Sequence, residues 1–195
     1  DEPAASTNDL ALIRAATNLI WTDDGANQLW STGDNWNTDN VPGSGDNLIF
    51  PDDVNTAAPE NDMGNGFDVG GIVFSDASGS NGYDLIGNEV DLSGGITNNS
   101  GDLQTLSMNI QLATDQSFEA TSGGLTLNGT IDGGHDLTIN ASGENVMLAG
   151  GVGGTNPLSS ITVSAATQID LADVSTTGTQ SITGTDIVLN GTSYS

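Results

Sequence analysis

The sequence predicts an all-β chain, a right-handed parallel β-helix (β-solenoid) of roughly six coils with an N-terminal cap. Three observations predict it. Short strand signals recur to the last residues, separated by clusters of Gly, Asn, Ser and Thr. Aliphatic residues return at a loose interval: Leu85, Leu106, Leu125, Val146, Ile169 and Ile187 lie 21, 19, 21, 23 and 18 residues apart, and Leu137, Ile161 and Ile182 lie 24 and 21 apart. Aromatics make up only 5 % of the chain, so the core must come from Leu, Ile and Val in many short segments. A period of about 20 residues with two or three strands in each marks a solenoid, whose coils stack because no single coil buries its own apolar face. The alternative is an antiparallel β-sandwich, which also shows a strand every 8–12 residues or so. Asn128-Gly129, with apolar residues on both sides, is the one place where a tight hairpin would favour it.

Residues 1–20 form a distinct N-terminal segment. Ser6, Asn8 or Asp9 can cap a short amphipathic helix through Leu10, Ile13, Ala16 and Thr17, while Leu10, Leu12 and Ile13 suit equally an extended strand that could be donated to another copy. Residues 21–70 form a Trp-, Asn- and Pro-rich capping region with the first strands. Residues 71–195 carry the repeats. Strands are expected near 71–75, 84–86, 90–92, 106–112, 117–120, 125–131, 137–139, 145–148, 161–164, 168–171, 180–183 and 186–189. The dipeptide Asp-aliphatic recurs at Asp68, Asp84, Asp91, Asp102, Asp136, Asp170, Asp173 and Asp186. Neighbours in a strand point to opposite faces, so the aliphatic is expected inside and the Asp outside.

All three Trp residues, Trp21, Trp30 and Trp36, precede the repeats. The end of a solenoid exposes strand edges and a cross-section of the core. These residues are expected to cover the first coil, with a sugar-stacking platform as the functional rival.

The charge balance is extreme: 26 acidic residues, no Lys, and one Arg (Arg14), for a formal net charge of −25. Such a chain repels nucleic acid and anionic lipid, and no stretch approaches the ~20 apolar residues of a membrane-spanning helix. It attracts divalent cations. Clustered oxygen ligands make Ca2+ the expected ligand, with Asp34, Asp39 and Asp53 as the candidate metal residues. No Cys is present, which removes disulfides and thiolate chemistry. His135 is the only His. Its neighbour Asp136 would face away from it in a strand, so a catalytic triad is not expected.

The stretch "LWSTGDNWNTDNVPGSGDNLIFP" resembles the opening of autotransporter passengers and related secreted β-helix proteins. "GIVFS", "YDLIG" and "SGGLTLNGTIDGGHDLTINASG" are similar to the strand repeats that follow in that group. "GGTNPLSSITVSAATQIDLADVSTTGTQSITGTDIVLNGTSY" is similar to filamentous-haemagglutinin-like segments. The resemblance covers about residues 21–195. It implies an extracellular, bacterial-type secreted parallel β-helix with a structural or adhesive role and no enzymatic activity. A carbohydrate-binding or carbohydrate-active β-helix is the alternative, with a cell-surface glycan as partner. Because the strand pattern continues to "TDIVLNGTSYS", the last coil is expected either to be cut from a longer protein or to be covered by another copy, end to end.

Overall fold

The computed structural model describes residues 15–51, 58–75 and 82–195. It is all-β, with sixteen strands and one 3-10 turn at Gly33–Asn35. Every strand pairing is parallel. The antiparallel sandwich is therefore ruled out. Among the described residues the one antiparallel contact is an isolated bridge between Trp21 and Trp36.

Among the described residues the first strand is β1 (Asn18–Ile20), and the chain then winds past three faces in turn. The first coil holds β2 (Asp46–Pro51), β3 (Glu60–Asn61) and the start of β4 (Phe67–Ser75). The next holds the end of β4, β5 (Asp84–Gly87) and β6 (Val90–Leu92). Then come β7 (Ile96–Asn98), β8 (Gln104–Leu106) and β9 (Ile110–Leu112), followed by β10 (Gln116–Ala120), β11 (Leu125–Leu127) and β12 (Ile131–Asp132). β13 (Asp136–Ala141) and β14 (Val146–Leu148) are completed by the bridge residue Val152. In the last two coils β15 (Ser160–Leu171) and β16 (Gln180–Leu189) each span two faces, and Val174 and Tyr194 supply the third. From Gly71 onward there are about six coils, the number the period implies.

The strands are short because each face is short. In β8, β9 and β11 three residues present two side chains inward and one outward, the buried–half-buried–buried pattern of QTL, IQL and LTL. The segments 106–112 and 125–131, read as single strands, are each two strands on different faces. Corners at Ser107–Asn109 and Asn128–Thr130 turn the chain between them, so Asn128-Gly129 is a solenoid corner and not a hairpin.

Parallel register stacks like on like. On the first face Leu19, Leu48, Ile72, Ile96, Phe118, Ile139, Val163 and Ile182 form one column. On the second, Leu85, Leu106, Leu127, Leu148, Leu171 and Leu189 form another. On the third, Phe67, Val90, Ile110, Ile131, Val152, Val174 and Tyr194 line up. The aliphatic series read from the sequence splices two columns. Leu125 stacks on Gln104, not on Leu106, and Ile161 stacks on Gln180, not on Ile182. A two-residue slip keeps each side chain on its own face, so hydrophobic pattern alone cannot distinguish the two registers.

One interior column changes character along the axis. Phe50 and Phe74 are followed in register by Asn98, Ala120 and Ala141. Asn98 is fully buried and ties a corner together. Its Nδ2 donates to the carbonyls of Asp102 (3.0 Å) and Gly124 (2.9 Å), and its Oδ1 accepts from Ser100 N (3.0 Å) and Ser100 Oγ (2.7 Å). Gln104 extends this network to Ser100 Oγ and accepts from Tyr83 N in the coil before. Asn98→Ala would leave these buried groups unpaired, and should cost about 3 kcal/mol of stability. Urea denaturation measures it, and an unchanged midpoint would refute the bracing role.

Candidate functional site

The features that separate one part of this solenoid from another are its two ends. At the N-terminal end β1 is held by Asp46, whose carboxylate is buried. Its Oδ1 accepts from Thr17 N (2.7 Å) and Thr17 Oγ1 (3.0 Å), and its Oδ2 accepts from Gly43 N (2.8 Å). Asn37 Oδ1 accepts from Ile20 N, and Asn47 Nδ2 donates to Asn18 Oδ1, both at 2.9 Å. Asn35 braces the preceding loop. It donates to the carbonyls of Asn27 (3.0 Å) and Leu29 (2.9 Å) and accepts from Gly25 N (2.9 Å). Much of the polar run Gly33–Phe50 is therefore scaffolding for turns.

What that scaffolding encloses is the tryptophan cluster. Trp21, Trp30 and Trp36 are each 0 % exposed. Trp21 and Trp36 meet edge to face at 5.1 Å, Trp30 and Trp36 at 6.3 Å, and all three lie 6.0–6.1 Å from Phe50. Trp36 Nε1 donates to Trp30 O at 2.9 Å. The other two indole nitrogens, Trp21 Nε1 and Trp30 Nε1, are buried and find no acceptor among the described residues. None of the rings offers a face to a sugar. Leu10, Leu12 and Ile13 lie outside the described residues. The short helix expected through Ala16 and Thr17 is not formed there, because Ala15–Thr17 is irregular and Asn18–Ile20 pairs with β2.

The C-terminal end is built differently. Ile187, Leu189 and Tyr194 are 41 %, 58 % and 36 % exposed, and Ile182 is half-buried. Their register partners one coil earlier, Ile169, Leu171, Val174 and Val163, are all buried. The last coil thus has the inward pattern of every other coil and no coil beyond it among the described residues. Among those residues β16 pairs only with β15, so its outer edge carries free backbone groups.

The acids follow the expected alternation at most positions: Val69, Leu85, Leu92, Leu137, Leu171 and Val174 are buried behind their Asp. The exceptions are Ile187, on the open coil, and Leu103, at a corner. Of the candidate metal residues, Asp34 and Asp39 are exposed, Asp39 with φ of 55°, and Asp53 lies outside the described residues. No group of three acidic or His side chains that could hold a metal occurs among the described residues. His135 Nδ1 lies 3.5 Å from Asp115 Oδ1, across the coil boundary and in solvent. Asp136 turns to Ser160 Oγ (2.7 Å). Two carboxyls have displaced affinities. Burial and the nearby Asp24 push Asp23 up. Hydrogen bonds from the backbone N–H groups of Thr192 and Ser193 hold Asp173 below the usual carboxylate range.

Asp173 therefore clamps the final turn in its ionised form. A depressed folded pKa contributes stability that is present above the unfolded value and is lost as pH falls through the folded one. Amide-exchange protection at Thr192 and Ser193 should fall on acidification below the ordinary carboxylate range. Asp173→Asn, which keeps the acceptor but does not titrate, should remove that step. A step that persists in the variant would refute the assignment. The buried cluster also fixes a spectroscopic expectation. Tryptophan emission should be blue-shifted and resist acrylamide, no sugar should perturb it, and Trp36→Ala should cost about 3–5 kcal/mol. Free quenching in the folded chain would contradict it.

No protein-family model, curated protein or solved structure matches this chain.

Proposed function

We propose that the chain is a non-enzymatic extracellular structural or adhesive surface protein whose solenoids stack end to end. One observation carries the reading: the ends are unlike. One is packed with buried tryptophans, and at the other, among the described residues, Ile187, Leu189 and Tyr194 are exposed beside an edge on which no further strand pairs. The Trp21–Trp30–Trp36 cluster caps the first coil. The outer edge of β1 meets β16 of the next copy by strand addition. A head-to-tail contact of this kind propagates as a filament and does not close as a dimer.

The parallel solenoid also supports kinship with secreted β-helix passengers, and the absence of Cys accords with a core that needs no disulfides. Charge opposes stacking, since each copy carries a formal −25. Assembly therefore requires screening by salt or Ca2+ held between copies, with Asp34, Asp39 and Asp53 the candidate ligands. The alternative, glycan binding, finds little support in the aromatics. Every Trp is enclosed, and Tyr194 sits on the open coil.

Light scattering of the full chain should show mass rising with protein concentration, more steeply in high salt or millimolar Ca2+. Ile187→Lys with Leu189→Lys should keep the protein monomeric without unfolding it, because charge on an edge strand blocks pairing. A wild-type chain that stays monomeric under all these conditions, or a double variant that assembles equally well, would sink the proposal.

A further inference from the structure

On one flank, away from both ends, a groove of about 390 Å³ runs along the solenoid axis. It crosses four successive coils, at Gly101–Leu103, Gly123–Thr126, Glu144–Met147 and Gln168–Asp170. At about 4.8 Å per coil that is roughly 14 Å, the length of about four extended residues. Two exposed apolar side chains line it: Leu103, 53 % exposed, and Met147, 40 % exposed. Both break the rule of the surrounding surface. Leu103 follows an Asp yet points outward, and Met147 stands on the outer side of β14 between Thr126 and Asp170 in register. The trough depends on Gly124, where an added Cβ would come within 3.0 Å of Leu103 Cδ1 and 2.7 Å of Asn145 O. Two carboxylates, Glu144 and Asp170, complete the lining, and Gln168 Nε2 steadies Asp170 with a 2.9 Å hydrogen bond to Oδ2. Among the described residues no basic residue and no aromatic lines the groove.

We infer that this groove docks an extended segment of a partner protein in which basic and aliphatic side chains alternate at every second residue, so that both kinds face the groove. Charge complementarity and the apolar lining together select that occupant. The aliphatics cover Leu103 and Met147, and the cations reach Glu144 and Asp170. A second copy cannot supply it, because the chain has no Lys and a single Arg. An oligosaccharide would find no ring to stack on. Strand addition is closed, since β11 is paired on both edges by β8 and β14, and β14 by β11 and β15. The segment therefore lies across the strands, parallel to the solenoid axis, held by side chains and not by a backbone ladder.

The test uses the full chain and a fluorescein-labelled, end-blocked peptide of repeating Lys-Ser-Val-Ser, which presents Lys and Val on one side of an extended chain, followed by anisotropy at physiological salt. Its control keeps every Lys and replaces Val by Ser. The Lys–Val peptide should bind at least several-fold more tightly than the Lys–Ser peptide. Leu103→Ser with Met147→Thr should weaken it by about tenfold, in keeping with the loss of two apolar contacts. Glu144→Gln with Asp170→Asn should weaken it and flatten its salt dependence, whereas Asp91→Asn on the third face should leave it unchanged. The first pair is exposed, so thermal melting should confirm that both proteins remain folded. Equal affinity for the two peptides, or undiminished binding to the Leu103/Met147 variant, would mean general attraction to an acidic surface and overturn the proposal. Binding of an oligosaccharide panel with none of the peptide would overturn it too.

Discussion

Parallel, in-register stacking is the constraint on which everything else in this molecule depends. Each coil takes its backbone hydrogen bonds and its apolar contacts from the coils on either side, so each must repeat the same three faces and the same corners. Where corners stack, backbone approaches backbone. An added Cβ at Gly129 would come within 1.9 Å of Met108 O, and one at Gly150 within 2.0 Å of Gly129 O. Only a residue without a side chain fits those two successive levels of one corner. The demand for close approach accounts for part of the 27 glycines, and it explains why the strands between corners are so short.

The same register poses an electrostatic problem that the composition answers. Stacking at about 4.8 Å brings equivalent outward positions together, and a chain with 26 acids and one Arg cannot pair them with cations. It interleaves neutral donors instead. Ser107 Oγ donates to Asp84, and Asn128 Nδ2 to Ser107 Oγ. Asn140 Nδ2 donates to Glu119, and Ser164 Oγ to Asn140. Ser160 Oγ donates to Asp136 and Ser44 Oγ to Asp68. On the third face the column Asp68, Asp91, Gln111, Asp132 places a neutral amide between two acids. Hydrogen bonds to a charged acceptor are among the stronger ones, so Ser, Thr and Asn do here what Lys and Arg do on ordinary surfaces.

A repeating core leaves its specialised features at the breaks in the repeat. Large rings fill the first coils and small residues the middle of the same column, so the core at the N-terminal end is filled by its own rings while the outer edge of β1 stays unpaired among the described residues. The last coil has nothing beyond it among the described residues to bury its inward side chains. Between the ends, Leu103 and Met147 interrupt a polar flank. Any partner that recognises this protein has to distinguish these features from a background that looks alike every coil.

Fold class and coil spacing were legible in the sequence because the strand signals recur at a period of about 20 residues, and the inward-aliphatic, outward-Asp alternation because it is a local pattern that a few residues carry. Composition alone also dictated that the outside would be acidic. Register was not legible. Leu125 and Leu127 are both apolar and both inward, and only the corner at Gly101–Leu103 decides that Leu127 stacks on Leu106. The strand limits inside 106–112 were hidden because a corner made of Ser107, Met108 and Asn109 has no strong turn signature, and inside 125–131 the Asn128-Gly129 signal fits a hairpin and a solenoid corner alike. The clustering of Trp21, Trp30 and Trp36 was visible as a position in the chain, but their complete enclosure needed the loop bonds of Asn35 and Asp46. The flank groove had no sequence signal at all. It arises where four coils, about 20 residues apart in the chain, bring two outward apolar side chains and two carboxylates to one corner, and that adjacency exists only once the coils have stacked.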